Sequence, residues 1–191
     1  MTFEEIDLLI RQENADFTAK GISPLYQVGA QAKICIIGQA PGIVAQNTQL
    51  CFNDASGERL RAWLGVSSET FYHSPHIAIM PMDFYYPGKG RSGDLPPRSD
   101  FAPKWHPLLL ELMPDLQLII LVGSYSVKHY LHRHRHLSLT DILRKYDAFL
   151  PAYFPLVHPS PRNNIWLKKN PWFEEDVVPV VQKLVAQILA K

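Results

Sequence analysis

Residues Ile34 to Leu60 read ICIIGQAPGIVAQNTQLCFNDASGERL, and the reading of this stretch decides the fold. A short run rich in β-branched residues (Ile34, Ile36, Ile37) ends at Gly38 and breaks into the Pro41-Gly42 turn. Such a run, bounded by turn residues, is a buried strand of a parallel sheet. Loops at the carboxyl ends of parallel strands are where open α/β sheets bind ligands, so the stretch from Ile34 to Leu60 is expected to form the floor and one wall of a site. Further along, Gly57 to Leu64 reads as a short helix, with Asp54 and Ser56 as candidate N-cap oxygens and Gly65 as its stop.

Three more apolar runs follow: HIAIMPM (His76 to Met82), LQLIILVGS (Leu116 to Ser124) and AYFPLV, which ends at Val157. Helical patterns separate or flank them. Thr2 and Glu5 make a capping box for a helix ending near Gly21, and Pro103 to Met113, Ser124 to His136 and Leu139 to Tyr146 read as helices. In the last helix Val177, Val181, Leu184, Val185 and Ile188 share one side. Strands joined by crossovers long enough for a helix predict an α/β fold, a three-layer α/β/α sandwich with a central four-stranded parallel sheet. Three strand ends then carry their loops to one edge: GQAPG, YYPGKGRSG and HPSPRN.

The chain has 191 residues and no internal repeat, so one domain over 1–191 is expected, large enough for its own core. With 47% apolar and 19% charged residues the composition excludes a disordered chain. No apolar span has membrane length and Met1 to Lys20 lacks a signal-peptide core, so the expectation is a soluble, cytoplasmic monomer without a membrane partner. Two cysteines are too few for a disulfide framework or a thiolate cluster, and Cys35 reads as a buried inert thiol. A net charge of +1 confines any nucleic-acid surface to a local patch.

GQAPG after the first strand and HPSPRN after the last resemble the two motifs of the uracil-DNA glycosylase superfamily. HPSPRN is similar to the second motif of the single-strand-selective monofunctional branch, and GQAPG to the GEAPG of the iron-sulfur thermophile branch. FNDASGERL resembles the phenylalanine-plus-glycine segment of that branch and the GDASG segment of a second thermophile branch. The resemblance spans about residues 33 to 164. It departs from the family at Ala40, where the best-known branch has an aspartate, and in lacking the iron-sulfur cysteines, which implies no metal and no cofactor.

The resemblance implies a DNA glycosylase that flips a damaged or deaminated base, uracil first, out of DNA and hydrolyses its N-glycosidic bond. A silent nucleic-acid- or nucleotide-binding member and a small-molecule glycoside hydrolase on the same fold are the alternatives. No lysine stands at a matching motif position, so lyase chemistry is not expected. His158 is implied as the donor to the uracil oxygen, or else as a strand-end turn cap. Asp54 is read two ways, as the carboxylate that activates water and as a helix cap. Gln39 positions water through its amide, while Gly38, Ala40, Pro41 and Gly42 contact the base or simply form a turn.

Phe52 matches the aromatic that stacks on the base, and Met82 and Asp83 occupy the region where other branches read the uracil edge. Arg162 stands at the wedge position. Ser160 and Asn163 hold phosphates or stabilise the turn. Lys89, Arg91 and Arg98, with Lys168 and Lys169, are candidates for a cationic rim along a DNA strand. Trp166 and Trp172 read as packing residues. The histidine-rich run from His129 to His136 reads as a solvated basic helix end rather than a metal site.

Overall fold

A computed structural model describes residues 1–190. Helix α1 (Phe3–Glu13) starts with the expected capping box, Thr2 and Glu5 each accepting from the other's backbone N–H. It ends at Asn14, and a separate α2 (Ala15–Ala19) follows. The Asn14 side chain donates to the Ile10 carbonyl at 2.7 Å, closing α1 early.

Strand β1 (Ile34–Ile37) leads through GQAPG to α3 (Ile43–Thr48), α4 (Ala55–Leu64) and α5 (Ser68–His73). After β2 (Ile77–Ile79) comes a small antiparallel hairpin of β3 (Lys89–Gly90) and β4 (Gly93–Asp94), inside what reads in the sequence as an unstructured loop. The chain continues through α6 (Phe101–Leu110), β5 (Leu118–Val122), α7 (Ser124–Tyr130), α8 (Leu139–Arg144), β6 (Tyr153–Leu156), α9 (Asn164–Lys169) and α10 (Val178–Leu189). The helix expected to run to His136 stops at Tyr130, and a 3-10 turn takes up His132–His134.

The main sheet has the order β2-β1-β5-β6 with every pair parallel, as the four apolar runs require. Alternation along β1 divides the core. Ile34 and Ile36 face a cluster that includes Leu60 and Trp63 from α4, Val181 and Val185 from α10, and Phe173 from the turn that precedes α10. Cys35 and Ile37 face another that includes Ile6, Ile10, Trp105, Leu109 and Val127. The strands are buried on both faces, which is why their sequences read as unbroken apolar runs. Cys35 is fully buried, and burial pushes its thiol well above the ordinary range.

The chain passes from β1 to β2 on one side, then crosses to β5 on the other. β1 and β5 therefore flank the topological switch point, where the loops leaving their carboxyl ends part and leave a crevice.

Candidate active site

A cavity of about 450 Å³ opens at this edge, lined by the GQAPG loop, Phe52, Asp54, the hairpin and the HPSPRN loop. Its first wall follows from β1. Gly38 and Gln39 carbonyls accept from the Met82 and Asp83 amides at 3.0 and 3.2 Å, so the loops after β1 and β2 run side by side. Gly38, Gln39, Ala40, Pro41 and Gly42 all line the cavity.

Phe52 is held against this wall by an unusual local backbone. Its φ is +56°, and its carbonyl accepts from Arg61 Nη1 and the Tyr72 hydroxyl, each at 3.1 Å. A Cβ on Gly57 would lie 1.6 Å from that carbonyl oxygen, and one on Gly38 would lie 2.7 Å from the ring's Cζ. Both glycines are thus required by close approach, one to the backbone and one to the ring. The ring packs on the core and meets Phe71 edge-on at 6.3 Å, leaving it at the inner end of the cavity.

Asp54 occupies both of its expected places. Its Oδ1 accepts from the Gly57 amide at 2.9 Å as the N-cap of α4, and the same exposed residue lines the cavity. Ser56 is not the cap, but it also faces the cavity.

His158 follows β6. Its Nδ1 accepts from the Ser160 amide at 3.2 Å, which leaves the proton of the neutral ring on Nε2. Burial lowers the imidazole pKa below its ordinary 6.5, with nearby Asp54 opposing the shift. The ring is therefore neutral at neutral pH, with an N–H to offer. Its position depends on Gly123 at the end of β5: that residue has φ +87°, and a Cβ there would approach His158 Cβ to 3.2 Å. Asn163 Nδ2 donates to the His158 carbonyl at 2.8 Å, and Ser160 Oγ accepts from the Arg162 amide at 3.3 Å. Both side chains thus build the turn that presents His158. Arg59 on α4 donates to the Pro159 carbonyl and to Asn164 Oδ1 at 3.3 and 2.9 Å, fastening HPSPRN beside Asp54's helix.

The hairpin forms the remaining wall. Arg162 Nη1 donates to the Ser92 carbonyl at 3.1 Å and its guanidinium covers Gly93, whose φ is +101°. This contact joins HPSPRN to the hairpin and brings Gly93, Asp94 and Leu95 onto the cavity. Lys89 and Arg91 are exposed on the hairpin and do not line the cavity.

Three expectations are corrected here. Met82 lies in the core and Asp83 is 1% exposed, so neither lines the cavity. Asp83 accepts from Arg98 Nε and Nη2 at 2.7 and 2.9 Å and from the Tyr85 amide at 3.1 Å. Arg98, far from being a free rim cation, is sandwiched near the Phe17 and Phe101 rings at 4.7 and 4.8 Å. The pair closes a buried charge on itself, with the hydrogen bonds that such burial demands. Lys168 and Lys169 end α9, exposed and outside the cavity.

The other flagged residues pack. Trp166 and Trp172 meet edge-on at 5.9 Å and both meet Phe173. His129 lies against Tyr130 and His134 against Phe149. Sequence reasoning missed Arg59, Asp94 and Gly123. The glycine ending LIILVG was a visible signal for the last; the other two depend on tertiary approach.

The family model described as the uracil DNA glycosylase superfamily matches residues 25–182. Among solved structures, the solution NMR structure of a candidate uracil DNA glycosylase from Methanosarcina acetivorans aligns with 15% identity and a TM-score of 0.49. That alignment covers 85% of this chain and 98% of that one.

Proposed function

The chain belongs to the uracil DNA glycosylase superfamily, and from that membership we propose that it is a monofunctional DNA glycosylase acting as a single-domain monomer. It flips a deaminated base, uracil first, from DNA and hydrolyses the N-glycosidic bond with water, without a cofactor, as the first step of base-excision repair. The observation that carries this reading is the meeting of Phe52, Asp54 and a neutral His158 around one cavity at the carboxyl edge of the sheet.

The chemistry suits these groups. Cleavage leaves positive charge on the sugar and negative charge on the departing base. The flipped base stacks on Phe52, which offsets part of the few kcal/mol that extrusion costs. His158 Nε2–H donates to the base oxygen as its charge develops. A neutral donor in a half-buried site is fixed before the reaction, and such preorganised donors contribute about 3 kcal/mol to barrier lowering. Gln39 orients a water through its amide, and Asp54 lends negative charge near the sugar. Backbone groups from Gly38 to Gly42, with Ala40 and Pro41 between them, shape the base pocket.

Lys89 and Arg91, exposed on the hairpin, meet the phosphates of a DNA strand approaching the cavity, while Arg162 stays on Ser92 and holds the hairpin in place. Ser160 and Asn163 act mainly by holding the His158 turn, and phosphate contact from them is secondary. A second reading, binding without turnover, draws on one observation: Asp54 already serves as a helix cap.

Incubation with uracil-, hypoxanthine- and xanthine-containing oligonucleotides, followed by alkali, decides between the two. Cleavage at the modified base is expected, and it should depend on His158. Salt-sensitive binding to all of the oligonucleotides without release from any would leave only the binding reading.

A further inference from the structure

Two carboxylates line the cavity, and they are not equivalent. Asp54 has one oxygen tied to the Gly57 amide as the cap of a ten-residue helix. Asp94 has no side-chain hydrogen bond or ion pair among the described residues, and its Oδ2 lies 3.4 Å from the point where a Gly42 Cβ would stand. A free carboxylate oxygen thus sits directly over the GQAPG turn, a turn that carries no acid of its own.

Phe52 packs on the core beside Gly38, where a planar base can stack, whereas Asp94, like Asp54, is exposed, as a group that acts at the solvent-facing sugar of a flipped nucleotide must be. An exposed carboxylate facing a polyanion weakens binding, so affinity does not explain its position. It is held there by the hairpin, which Arg162 clasps through Ser92.

We propose that Asp94 is the catalytic carboxylate that takes the proton of the attacking water, leaving Asp54 as helix cap and secondary charge. The proposal rests on the glycosylase reading above. In the step, the bond between C1′ and the base nitrogen breaks and its electron pair leaves with the base, whose oxygen is held by His158 Nε2–H. The water oxygen bonds to C1′ and its proton passes to Asp94. The carboxyl group then returns that proton to the released base, regenerating the carboxylate.

Single-turnover base release by the wild type, Asp94→Asn, Asp94→Glu and Asp54→Asn tests this, with DNA affinity and thermal midpoint measured for each. Asp94→Asn should slow release at least about 100-fold, bind DNA as well or better and keep the wild-type melting temperature. Asp94→Glu should restore part of the rate, which separates catalysis from any folding defect. An Asp94→Asn enzyme as fast as wild type, with the loss falling on Asp54→Asn, would overturn the assignment and leave the glycosylase reading intact. Wild-type protein that releases no base from any of the three substrates overturns both.

Discussion

Gly57 has no room for a methyl group. Alanine there would place its Cβ 1.6 Å from the Phe52 carbonyl oxygen, so the strained backbone of Phe52 must move or the start of α4 must open. Gly57→Ala is expected to cost more than about 2 kcal/mol, seen as a lower urea midpoint, whereas Gly29→Ala, which meets open space, stays near wild type. His158 is the second sensitive residue. Protonation would put a hydrogen on Nδ1 against the Ser160 N–H, breaking the hydrogen bond that orients the ring. Because burial lowers the His158 pKa, base release should hold through neutral pH and decline on acidification along a limb centred below 6.5; His158→Ala should lower the rate about 100- to 1000-fold and remove that limb. Phe52 and His158 were legible in the sequence because each sits in a motif whose geometry is local. Met82 and Asp83 were not: their separation from the cavity follows from the pairing of two loops that are distant in sequence, and from the commitment of Arg98 to Asp83.

At the level of elements, the four strands could be read because each is buried on both faces and carries an unbroken apolar run, which leaves little competition from a helical pattern. The β3–β4 hairpin could not. Its strands have two residues each, contain glycine, and owe their position to a clasp from a loop 70 residues away. The split of α1 from α2 turns on one side-chain hydrogen bond from Asn14, again a tertiary matter because Arg98 holds the other end of that amide. The clasp gives an element-level expectation. Arg162→Ala removes the donor to Ser92, so the Leu95 amide, bonded to Gly88 across the hairpin at 2.8 Å, should exchange faster with deuterium while amides of β1 and β5 keep their protection. Base release should fall as well, since the hairpin carries Asp94. A Leu95 amide that keeps its wild-type protection in Arg162→Ala would show that the hairpin stands without the clasp.

For the molecule as a whole, the most consequential titration lies outside the cavity at His106. The residue is 1% exposed on α6, with Nε2 donating to the Pro81 carbonyl at 2.9 Å and Nδ1 accepting from the Tyr130 hydroxyl at 2.7 Å. It joins α6, α7 and the loop after β2, whose Pro81 also lines the cavity. Both ring nitrogens are used by the neutral form, and burial lowers the pKa from 6.5 to about 4. Between those values the unfolded chain binds the proton that the folded chain refuses, so stability must rise with pH. The contribution is fully present above 6.5, is lost progressively as pH falls toward 4, and amounts to roughly 3 kcal/mol over the whole interval. His158 and His129 are shifted in the same direction by burial and steepen the decline. Urea unfolding at pH 8 and pH 5 should therefore differ by at least about 2 kcal/mol. In His106→Gln, which removes the titrating ring, the protein should be less stable at pH 8 and the difference between the two pH values should shrink sharply. An equal pH dependence in both proteins would assign the acid sensitivity to the remaining histidines instead.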